Sequence, residues 1–258
     1  MAILRDLWSR IWRLITGMSD PSPFAFPALD SEALRVNRLA RHGAGELNQF
    51  ALVEAYLSRI DGGLHWRVTF HFRDKHNSAS YYLAADRTQA EPPTAEHGWS
   101  RLSSDASQQV LSAYREKDVL DRVRGFLPSP GKNWWECAAP NDVLITKLDV
   151  TPNNQARLTL LDVALVLHSV SLHRPNYVLA EGNCWWFATC SGLLLELRAA
   201  ASQTSKAIVA LEENFFRRAP IPFSGPHMIS DEMVRKDVRQ IRVSFDNLVR
   251  AQILLLCL

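Results

Sequence analysis

The sequence predicts an α+β fold: a small antiparallel sheet packed against helices, with helical extensions at both ends. Three observations carry this. Leu64 to Arg73 alternates in strand fashion and is rich in aromatic and β-branched residues, with Asp61-Gly62-Gly63 as a turn before it. Long apolar runs of helical length follow late in the chain, from Leu158 to Val170 and from Cys184 to Leu197. The strand segments largely precede the helices, which argues against a repeating strand-helix-strand layout.

In chain order, residues 1–18 form an amphipathic helix in which Leu4, Leu7, Trp8, Ile11, Leu14 and Ile15 recur at helical spacing with Arg5, Arg10 and Arg13 between them. Such a helix either lies at a membrane surface or packs on its own domain through Trp8 and Trp12. Residues 19–41 form a Pro-rich linker ending in a short polar helix. The main domain spans residues 42–200. Phe50 to Ile60 fits strand or helix. After the strand from Leu64, Asp74-Lys75-His76-Asn77 turns the chain and Ser80 to Ala85 returns as a strand. Residues 86–100 read as a polar loop and Leu111 to Phe126 as a helix. Val143 to Val150 and Tyr177 to Leu179 read as strands. Residues 201–258 form a C-terminal helical extension.

The chain has 258 residues, of which 47% are hydrophobic and 22% charged, so one sizeable domain with appendages is within reach. A net charge of +2, with no basic patch interleaved with aromatics, speaks against a nucleic-acid partner. Cysteines occur at 137, 184, 190 and 257, too few and too irregular for a disulfide framework, and no Cys-x-x-Cys suggests zinc. No metal or cofactor is expected. A cytoplasmic location fits, with residues 1–18 offering a peripheral membrane anchor. No stretch reaches the roughly 18 to 20 apolar residues of a membrane span.

The chemistry centres on Glu181-Gly182-Asn183-Cys184. Gly182 permits a tight turn, Asn183 is a good N-cap, and Cys184 opens the helix. There the helix dipole and backbone N–H groups favour a thiolate, the form that attacks. The alternative is a cysteine that merely packs, which is how mid-helix Cys190 reads. A thiol nucleophile needs a base. Of eight histidines, His65 stands at a strand start beside the Gly-Gly turn. His71 shares its face, six residues on.

His65-Trp66 at the head of a strand, followed more than a hundred residues later by Tyr177, Leu179 and Asn183-Cys184 opening a helix, resembles the circularly permuted papain-like hydrolases. These include the lecithin:retinol acyltransferase-like and PPPDE peptidase groups. The resemblance covers residues 48–198 and implies His65 as base, Cys184 as nucleophile, and Gly182 and Asn183 beside the oxyanion. In the acyltransferase-like group a second histidine lies on the next strand. Here that register falls on Asn77, with His76 beside it, so these are the candidate orienting groups. Trp66, Trp185, Trp186 and Tyr177 either line a substrate groove or fill the core. The implied activity is hydrolysis or acyl transfer at a peptide, isopeptide or lipid acyl bond, through an acyl-enzyme. The partner is then a protein or a lipid. A catalytically inactive module on the same fold, membrane-associated or not, is the competing expectation. Trp134-Trp135 reads as a pair that packs a loop onto the domain.

Overall fold

The computed structural model describes residues 25–26, 48–60, 65–76, 80–89, 117–126, 131, 133–137, 142–151, 157–174, 176–177, 184–200, 204–220 and 230–256. The amphipathic stretch 1–18, Asn77, Gly182 and Asn183 lie outside them. The strands are β1 (Ala25–Phe26), β2 (Phe50–Ile60), β3 (Trp66–Asp74), β4 (Ser80–Gln89), β5 (Lys117–Phe126), β6 (Asp142–Lys147) and β7 (Asn176–Tyr177). The α-helices are α1 (Leu160–His173), α2 (Cys184–Ala199), α3 (Ser205–Arg218) and α4 (Asp231–Leu256), and a 3-10 turn covers Trp134–Cys137. The architecture is α+β, as the sequence predicts.

The sheet runs β1-β5-β4-β3-β2-β6 with β7 beside β5, and every neighbouring pair is antiparallel. Strands β2 to β5 form a meander. The connection from β5 to β6 then crosses to the far side of β2. On β3, Trp66, Val68, Phe70 and Phe72 join the main core, while Arg67, Thr69 and His71 point the other way. Both sets are buried, so neither face of the central strand is open to water.

Helix α2 is buried along its whole length except at Arg198. A helix apolar all round belongs in a core rather than on a surface. It packs on β3 and β4 on one side and on α1, α3 and α4 on the other. Helix α1 begins with a capping box, in which Thr159 and Asp162 satisfy each other's backbone N–H.

Three expectations change. Leu111 to Phe126 is not a helix: Lys117–Phe126 is strand β5, paired with β4 from Tyr82↔Phe126 to Gln89↔Val119. Apolar residues at 119, 120, 123 and 126 mimic a helical stripe. Asp121, which that reading puts in solvent, is instead fully buried against Arg87. Ala25–Phe26, inside the stretch read as linker, pairs with β5. The residues read as a C-terminal extension belong to the same core, since Phe215, Val234, Val238, Ile241 and Phe245 are all buried in it.

Buried ion pairs fix these layers. Arg87 Nε and Nη2 donate to Asp121 at 2.6 and 2.7 Å, and Arg87 Nη1 donates to the Arg174 carbonyl at the end of α1 at 2.8 Å. Its guanidinium lies over the rings of Trp186 and Phe187 on α2. Asp237 on α4 accepts from Trp186 Nε1 at 2.9 Å and from Arg174 Nε at 3.0 Å. Paired and hydrogen-bonded, such charges tolerate burial.

Candidate active site

Cys184 is the first residue of α2, and its sulfur-bearing residue is 6% exposed. His65 immediately precedes β3 and keeps 26% of its side chain exposed. The two interact, and Cys184 helps hold the imidazole in its protonated form. What brings them together is next to each in sequence. Trp66 follows His65 and Trp185 follows Cys184, and the two buried indoles meet edge to face with centroids 6.4 Å apart. This arrangement is favoured for aromatic pairs. The indoles staple a strand start to a helix start, and the imidazole and thiol are carried along.

A third group completes the arrangement. Asp86 on β4 is 6% exposed, and its Oδ2 lies 3.2 Å from His65 Nε2. Burial opposes charge on His65. The hydrogen bonds to Asp86 and to Cys184 outweigh it, and the imidazole is pushed up to about 9. Behind Asp86, cross-strand register sets Arg67 opposite it. The Arg67 Nε lies 3.5 Å from Asp142, whose Oδ2 also accepts from Ser58 at 3.2 Å.

The sequence did not single out Asp86. It offered His76 and Asn77 as orienting groups, and His76 does not fill that role. It is exposed in the turn after β3, its backbone N–H donating to Asp74 Oδ1 at 2.8 Å, at the opposite end of the strand from His65. A nine-residue strand separates the two ends by roughly 25 to 30 Å, given ~3.3 Å per residue. Hairpin register contained the missing signal. Arg73↔Ser80 pairing implies Arg67↔Asp86, one step from His65 and on its face.

The indoles do not line a groove. Trp66, Trp185 and Trp186 are at most 3% exposed and fill the core. Trp186 stacks on His173 and donates to Asp237. Tyr177 lies in β7 opposite Lys117.

No family model, curated protein or solved structure matches the chain.

Among the described residues no His, Cys, Asp and Glu cluster has the makings of a metal site, and no helix is long and apolar enough to cross a membrane. The arrangement itself brings together a thiol, an imidazole that holds a proton at neutral pH, and a carboxylate beside that imidazole.

Proposed function

We propose that the chain is a thiol hydrolase or acyltransferase of permuted papain-like design, acting through Cys184 and His65 with Asp86 as the orienting residue. The observation that supports this reading is the imidazole of His65 lying 3.2 Å from a carboxylate and held protonated with the help of a helix-opening cysteine. In the reaction, the Cys184 thiolate attacks a carbonyl carbon, and N–H groups of the first turn of α2 hold the oxyanion. His65 delivers its proton to the leaving group. It then takes a proton from water, or from an acceptor hydroxyl or amine, as that group attacks the thioester. The substrate class is a peptide, isopeptide or lipid acyl bond.

One observation favours a second reading. Cys184 is 6% exposed, which also suits a non-catalytic binding module. Alkylation by iodoacetamide at pH 7, followed by mass spectrometry of the peptide containing residue 184, separates the two. The hydrolase reading expects rapid modification at Cys184. It also expects a drop of about 10-fold or more in His65→Ala and a smaller drop in Asp86→Asn, since the thiolate fraction sets the rate. Modification at equal rates in all three proteins selects the binding module.

A further inference from the structure

The outer face of the sheet, away from α2, carries a second polar row across three adjacent strands. Ser80 is exposed at the start of β4, and its Oγ lies 3.0 Å from His71 Nε2 on β3. On the other side of the imidazole, Glu54 Oε2 on β2 lies 3.9 Å from His71 Nδ1. Glu54 reaches this face because of a bulge. The β2–β3 register slips between Leu52 and Glu54, so Phe50 and Leu52 face the core before the slip and Ala55 and Leu57 face it afterwards. Bulges re-aim side chains in this way and gather near functional sites.

The carboxylate is held from two sides. Lys147 Nζ donates to Oε1 at 2.6 Å and Trp134 Nε1 donates to Oε2 at 3.1 Å. Burial opposes the Glu54 charge, but these bonds hold its carboxyl below the usual range. Its negative charge beside Nδ1 favours the Nδ1–H tautomer, which leaves the Nε2 lone pair to accept the Ser80 hydroxyl proton. Burial also pushes His71 below its ordinary value, an effect that Arg73 adds to and Glu54 opposes. The imidazole is therefore neutral, and able to act as a base, at neutral pH. Tyr82 stacks on it at 4.7 Å and Trp134 lies 5.7 Å from it, both half-buried.

We propose that Ser80, His71 and Glu54 form a second nucleophilic site, independent of Cys184, that cleaves carboxylic esters bearing an aromatic group. His71 Nε2 takes the Ser80 proton as Oγ bonds to the ester carbonyl carbon. The C–O bond to the leaving alcohol breaks, and that oxygen takes the proton from Nε2. Water then attacks the acyl-serine, passing one proton through His71 back to Ser80 Oγ, so that ester and water become acid and alcohol. At 3.9 Å, Glu54 orients His71 by charge rather than by a hydrogen bond. That weaker activation suits esters rather than amides. The flanking rings of Tyr82 and Trp134 supply the aromatic preference.

The test is fluorophosphonate labelling of the full chain, with p-nitrophenyl acetate hydrolysis as a second readout. Labelling is expected in wild type and equally in Cys184→Ala, with losses of 10-fold or more in Ser80→Ala and in His71→Asn. Glu54→Gln is expected to lose less. The labelling rate of wild type should rise with a midpoint below pH 6.5 and stay level above it. Ser80→Ala removes one hydroxyl and its bond to His71 at an exposed strand start, so a circular dichroism melt matching wild type keeps that arm decisive even where His71→Asn fails to fold. Absence of labelling in wild type, full labelling in Ser80→Ala, or a rate that climbs through pH 8 overturns the proposal.

Discussion

His65 does two things through one proton. Its raised value, about 9, reflects contacts made only in the folded chain, so the shift is also a contribution to stability. The sign follows from the direction. The folded state holds the proton more tightly than the unfolded chain, so the contribution is complete below about pH 6.5. It is lost as pH rises through 9. Urea midpoints measured from pH 6 to 10 should therefore fall more steeply for wild type than for His65→Gln, and parallel curves would contradict the assignment. Asp86→Asn removes the carboxylate beside the imidazole and should bring the His65 titration down toward its ordinary range, as read by the ring-proton chemical shift.

Two pairs of elements decide whether these groups meet. The first is the start of β3 against the start of α2, joined by Trp66 and Trp185. Trp66→Ala should cost about 3–5 kcal/mol of stability, the usual loss for a buried indole. In contrast to a surface change, it should also slow Cys184 alkylation, as chemical denaturation and labelling on the same sample would show. The second is the β3–β4 hairpin, which sets Asp86 beside His65. Much of this was legible from residues alone. The alternation in Leu64 to Arg73 marks β3, and Asn183-Cys184 before an apolar run marks the helix start. Asp86 is not legible, because the polar run after Ala85 reads as loop, whereas β4 continues to Gln89. Carrying the pairing of Arg73 with Ser80 outward by one residue per strand reaches it. Strand β5 reads as a helix for a physical reason: its inward Asp121 is satisfied by Arg87, a partner 34 positions away that no local pattern reveals.

At the scale of the molecule, α2 is a buried axle held by charges around it. Arg87–Asp121 links β4 and β5 beneath it, and Asp237 ties α4 to both Trp186 and Arg174. Removing one member of a buried pair leaves the other uncompensated, so Asp121→Ala should cost about 3–5 kcal/mol in a denaturant titration. Because Val234, Val238, Ile241 and Phe245 complete the core, a chain ending at residue 220 should lose its cooperative unfolding transition. An unchanged melt of that truncated chain would show α4 to be dispensable. The same burial places Cys184 within the core cluster, where its side chain is held in place by its surroundings.

The contact between imidazole and thiol is tested most directly by following His65 alone through a pH titration by nuclear magnetic resonance, in wild type and in Cys184→Ala. The pairing predicts a wild-type midpoint near 9 that drops in Cys184→Ala, because the influence of Cys184 that raises it has been taken away. A midpoint near 6.5 in both proteins would contradict it.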